Sequence, residues 1–168
     1  MKCLNTRAKL IIQQLYEAMF HEPYVLTEGS HAKINNNLAF MPVVIEKVGR
    51  LPGYGEVISI AHYGEQSGDL MADPEMEFTI IGGDYYPISF RNDYLGKHSS
   101  VFENDGINLP LQYDLTTFAN QWMRKNFYFI NIMIGLYSFT NLTQSMPKNY
   151  HRQLKRFFHE RHCQKKFF

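Results

Sequence analysis

His62-Tyr63-Gly64-Glu65-Gln66-Ser67-Gly68-Asp69-Leu70-Met71-Ala72-Asp73-Pro74-Glu75-Met76-Glu77-Phe78 is the stretch on which the fold turns. Just before it and into its start, Ile58, Ile60 and His62 alternate with Val57, Ser59, Ala61 and Tyr63. That period of two suits a half-buried strand whose isoleucines, closed by His62, line the core face. At its far end Met76, Phe78 and Ile80 point one way and Glu75, Glu77 and Thr79 the other, again as a strand requires. Two such strands in succession predict an antiparallel hairpin. Its connection is expected to run from Gly64 to Pro74, longer than the usual hairpin loop and of the kind that often carries function.

The charge around this stretch is one-sided. Residues 51–90 contain no Lys or Arg, whereas Glu56, Glu65, Asp69, Asp73, Glu75, Glu77 and Asp84 are all acidic. Two functional readings follow. In one, Glu65, Asp69, Asp73, Glu75 and Glu77 form an acidic surface for a partner. In the other, His62, Asp69, Asp73 and Glu75 hold a divalent metal that activates water for phosphodiester hydrolysis, with His62 as ligand or proton carrier. No Lys follows Glu75 at nuclease-like spacing, and acids in loops commonly serve only local turns or solvent. No metal and no cofactor is therefore expected.

The run from His62 to Phe78, followed by Pro87, Phe90, Asp93 and Gly96, resembles an uncharacterised bacterial domain family carried on phages, plasmids and other mobile elements. The resemblance covers roughly residues 38–127, and its most specific part is GDLM-x-DPEM, here Gly68 to Met71 and Asp73 to Met76. It implies little chemistry, since the family is a domain of unknown function. It does imply a part in conflict between mobile element and host. Residues after about 128 have no counterpart in that resemblance.

Outward from the hairpin, the 168 residues suit a single domain with its own core. A hydrophobic fraction of 45% with 20% charged residues is that of an ordinary soluble protein, and 15% aromatic is high enough to cover a partner surface as well as a core. Cys3 and Cys163 suggest no disulfide framework, which favours a reducing bacterial cytoplasm. Lys2, Arg7, Lys9 and Glu17 interrupt the first twenty residues, so no secretion signal is read there.

Leu4, Ala8, Ile11, Ile12, Leu15 and Met19 fall at helical spacing, ending near Phe20 to Pro23. Residues 27–37 read as a loop, and Leu38 to Val48 as a strand in which Pro42 argues for an edge or a bulge. Gly49 to Gly55 supplies a turn, and Tyr85 to Phe90 a further strand. Asn104-Asp105-Gly106 predicts a tight turn between Ser99–Glu103 and Ile107–Leu111. Asp114 then reads as the N-cap of a helix whose stripe is Leu115, Phe118, Ala119, Trp122 and Met123. The fold class expected is α+β: a mainly antiparallel sheet of four to six strands, an N-terminal helix and a helical C-terminal part.

Tyr128 to Phe139 is apolar but too short to cross a membrane, which takes about 20 residues; it reads as core or interface, and no membrane partner is expected. The charge changes sign after Pro147. Lys148, Arg152, Lys155, Arg156, Arg161, Lys165 and Lys166 stand against Glu160 alone, a net plus six. The whole-chain charge of +1 leaves minus five for residues 1–146, so the expected organisation is an α+β domain over 1–146 and a basic helical extension over 147–168. Those cations, interleaved with Phe157 and Phe158, suit RNA as well as they suit a solvated helix. His159, His162 and Cys163 lack a fourth ligand for zinc. No nucleophile elbow, phosphate loop or catalytic cysteine pattern is present. The expected function is a non-enzymatic mobile-element protein that binds and inhibits a host defence protein or ribonucleoprotein, first of all a CRISPR effector or its guide RNA. A metal-dependent nuclease and an RNA-binding accessory protein are the alternatives.

Overall fold

The structure, a computed structural model, describes residues 1–19, 27–34, 41–103 and 106–125. Helix α1 spans Thr6–Met19 and is followed by β1 (His31–Ile34), β2 (Val43–Leu51), β3 (Gly55–Gln66), β4 (Asp69–Ile81), β5 (Asp84–Asn92) and β6 (Lys97–Ser100). A short ribbon, β7 (Phe102–Glu103) with β8 (Gly106–Ile107), leads into helix α2 over residues 109–125. The six longer strands form one antiparallel sheet in the order β1-β2-β3-β4-β5-β6. The α+β architecture is the one the hydrophobic periods predict.

The long connection expected between Gly64 and Pro74 is instead strand. Gln66 pairs with Asp69, and only Ser67 (φ 56°) and Gly68 (φ 90°) lie between them. Two consecutive positive φ angles make the two-residue turn that matches strand twist. The break in alternation that mimics a loop is a bulge: Ala61 pairs with Glu75 but Tyr63 with Ala72, so Asp73 and Pro74 together face His62. The cis Asp73–Pro74 bond lies in that bulge, where a residue without an N–H is tolerated.

Three other expectations shift. β1 occupies part of the expected loop 27–37; Ala32 and Ile34 alternate with His31 and Lys33, but the edge strand is only four residues long and the alternation is too brief to stand out. Within the described residues the next strand begins after Pro42, which costs the ladder no hydrogen bond there. Helix α2 starts well before Asp114. Asn108 is its cap, accepting from the Leu111 N–H through Oδ1 at 2.9 Å, and Pro110 fits the first turn. The segment 107–111 is therefore mostly helix rather than strand.

Both helices cover one face of the sheet. Ile45, Ile60, Met76 and Phe90 form one cross-strand row on that face, and Ile58 with Phe78 belongs to the next. Ile45, Ile58, Ile60, Met76 and Phe78 are essentially inaccessible, and burial of each contributes about 1.5–3 kcal/mol. From α1 come Leu4, Ala8, Ile11, Ile12 and Leu15, with Asn5 capping the helix through the Ala8 N–H at 2.9 Å. From α2 come Gln112, Leu115, Thr116, Ala119, Trp122 and Met123. Phe118, expected beside Trp122 in the core, lies at the margin of this stripe and is 40% exposed. Gln112 joins the layers: its Oε1 accepts from the Lys2 N–H at 2.8 Å and its Nε2 donates to the Lys2 carbonyl at 2.8 Å.

Candidate functional site

With both helices on one face, the alternation that fills the core also decides what the other face carries. Glu46, Ser59, Glu77, Ser89 and Ser100 form one cross-strand row on that open face; Val44, Ala61, Glu75, Arg91 and His98 form the next. Glu75 and Glu77 are thus successive same-face residues of the central strand β4, separated by about 7 Å of backbone. Their carboxylates are held. The Ser59 hydroxyl donates to Glu75 Oε1 at 2.9 Å, and the Ser89 hydroxyl donates to Glu77 Oε2 at 2.7 Å. Tyr63 also hydrogen-bonds Glu75; burial first, then the nearby Glu75 charge, push its phenol up to about 12. A carboxylate fixed by neutral donors loses little freedom on binding a cation.

The turn after β5 builds a wall beside these acids. Arg91 donates to Asp93 through Nε at 2.7 Å and Nη2 at 3.0 Å, while the Ala72 N–H donates to Asp93 Oδ2 at 2.8 Å. These bonds, the arginine's first, hold the Asp93 carboxyl below its usual range, and Asp93 in turn raises Arg91. Between this wall and the acids lies a groove of about 480 Å³ lined by Glu75, Glu77, Ser89, Arg91, Asp93, Gly96, Lys97 and His98. A second hollow of about 280 Å³ involves Val57, Ile88, Phe102, Gly49 and Arg50. Glu77 lines both.

A family model described as Domain of unknown function (DUF6908) matches residues 12–128, well over half of the chain. The chain belongs to the DUF6908 family. No curated protein and no solved structure matches it. The match to DUF6908 takes in most of α1, all of the sheet and all the described residues of α2, so the open face and its groove lie wholly inside the family domain. No helix among the described residues is long and apolar enough to cross a membrane.

Within the DUF6908 domain the acidic candidates separate into three places. Glu75 and Glu77 meet on the open face. Glu65 and Asp69 are exposed at the β3–β4 hairpin tip. Asp73 sits in the bulge, where Asn92 Nδ2 donates to it at 2.8 Å. His62 is on the helix-covered face: its Nδ1 is 3.1 Å from the Pro42 carbonyl and its ring packs edge-on to Trp122 at 5.6 Å. The four residues of the metal reading therefore do not converge, and no group of three metal-ligand side chains occurs among the described residues. The basic set Lys148, Arg152, Lys155, Arg156, Arg161, Lys165 and Lys166 and the apolar run Tyr128–Phe139 lie outside the described residues, as does the boundary at 146. Ser59, Tyr63, Ser89, Arg91 and His98 were not singled out from sequence, and Asp93 only as part of the family resemblance. Their signal is available only from register, because each meets Glu75 or Glu77, or the groove beside them, across a strand pair or a turn.

Proposed function

We propose that the protein is a non-enzymatic binding protein that captures a basic partner on the open face of its sheet. The observation that carries this reading is the pair Glu75 and Glu77, side by side at the centre of that face and held by Ser59, Tyr63 and Ser89. A sheet face that no helix among the described residues covers, with acidic charges at its centre, favours a complementary surface and raises the rate of encounter with it. The finer proposal is that the partner is a host defence component met by a mobile-element protein, a CRISPR effector or its guide RNA before others. It is supported by the sequence resemblance of residues 38–127 and by the resemblance of a fixed acidic row to a nucleic-acid backbone. In this proposal the acidic face takes the place of nucleic acid on the effector, and the basic residues 148–166 contact RNA.

The test is affinity capture from a bacterial lysate with the wild-type chain and with the Glu75→Gln/Glu77→Gln double variant, both checked for equal folding. The reading expects a basic protein or ribonucleoprotein retained by the wild type and lost from the variant. Cleavage of labelled RNA or DNA that needs magnesium or manganese and disappears in Asp69→Asn and Asp73→Asn would replace it with the nuclease reading.

A further inference from the structure

The open face changes character along β4, and the change sets a spacing. At Glu75 and Glu77 the floor is acidic. The next same-face residue, Thr79, is fully buried, and its hydroxyl donates to the Tyr54 carbonyl at 2.5 Å. The Thr79 hydroxyl is therefore not offered to a partner. The hollow alongside is floored by Val57 and Ile88, only 7% and 5% exposed, and walled by Phe102, whose ring is fixed edge-on to Tyr54 at 5.1 Å, while Glu28, Arg50 and Ser100 also line it. Because Glu77 lines both this hollow and the acidic groove, an acidic subsite and one with an apolar floor adjoin, about one two-residue strand repeat, or roughly 7 Å, apart.

An extended peptide presents side chains to one side at that same spacing. On the far wall, Arg91 is taken up by Asp93, whereas Lys97 remains exposed and repels a cation placed beyond Glu75. We infer that the groove takes an extended segment of a basic protein, with Lys or Arg over Glu75 and Glu77 and an aliphatic or aromatic side chain two residues away in the Val57–Ile88–Phe102 hollow. The inference rests on the open face being the partner-binding surface and adds the pattern that this surface reads. An arginine at the first position can bond a carboxylate through two parallel N–H groups; the second position removes apolar surface from water.

Selection of a displayed library of random octapeptides against the full chain tests it. The expected result is enrichment of peptides with Lys or Arg two positions from an aliphatic or aromatic residue. A selected peptide should lose about tenfold or more in affinity when its cation is replaced by Gln, the loss expected for a charge-assisted hydrogen bond. It should lose similarly against Glu77→Gln, whose amide oxygen still accepts from Ser89, and against Glu75→Gln, but not against Glu65→Gln. If lysate capture depends on Glu75 and Glu77 while the library enriches no such spacing, the pattern is overturned and the face reading survives. If enriched peptides bind the double variant as tightly as wild type, both fall.

Discussion

The two faces of the sheet are made by the same strands, one residue out of phase, and their side chains are organised differently. On the covered face Ile45, Ile58, Ile60, Met76 and Phe78 are buried by apolar contact with two helices. On the open face the Ser59 hydroxyl donates to Glu75 and the Ser89 hydroxyl donates to Glu77. Apolar contact accounts for stability and tolerates little loss of volume. A polar network that keeps charge at the surface contributes little to stability and leaves acceptors available to a partner. The difference teaches that β4 has two roles between Glu75 and Phe78: Met76 and Phe78 hold the fold, while Glu75 and Glu77 display chemistry.

The comparison is most exposed to failure at the covered face. Phe78→Ala and Trp122→Ala should each cost about 3–5 kcal/mol in denaturant unfolding. Phe118→Ala, at the margin of α2, should cost about 1 kcal/mol, closer to surface substitutions. Equal losses at Trp122 and Phe118 would show that α2 is rotated. Next come the places where the open face closes over. Gly55 has φ +100° and an added Cβ would run into the Ile80 carbonyl, so Gly55→Ala should cost about 1–3 kcal/mol from backbone conformation alone. Thr79→Val should cost about 1–3 kcal/mol, because it leaves the Tyr54 carbonyl without its donor.

A smaller effect concerns pH. Tyr63 and Tyr16 are raised from 10.0 to about 12, in both cases by burial first. Above pH 10 the unfolded chain releases these protons while the native state retains them. Stability from this source is thus complete below pH 10 and declines as pH rises toward 12. Tyr63→Phe should flatten part of that decline, leaving the Tyr16 share. An unchanged pH profile would place the Tyr63 phenol in open solvent rather than on Glu75.

What sequence could reveal was set by period and interrupted by local geometry. Ile58, Ile60, Met76 and Phe78 alternate without interruption, so the central hairpin and its core face were readable. The bulge at Asp73–Pro74 disturbs that alternation and makes a strand pair look like a loop. His31–Ile34 is a four-residue edge strand whose alternation of Ala32 and Ile34 with His31 and Lys33 is too brief to stand out from a loop. In α2 Leu115, Ala119, Trp122 and Met123 are buried as read, but Phe118 is exposed and the buried stripe also runs through Gln112 and Thr116, polar residues that a hydrophobic reading passes over. Half of the candidate site was legible as an acidic run. The half that holds it, Ser59, Tyr63 and Ser89, is defined by which residue faces which across a strand, and that register is a property of the folded sheet.

The division of labour between the faces is tested most directly by measuring unfolding free energy and partner retention together on Glu75→Gln/Glu77→Gln. The account predicts stability within about 1 kcal/mol of wild type, as for surface substitutions, with loss of the basic partner. A variant that keeps its partner, or one that loses several kcal/mol of stability, would show that these carboxylates serve the fold rather than recognition.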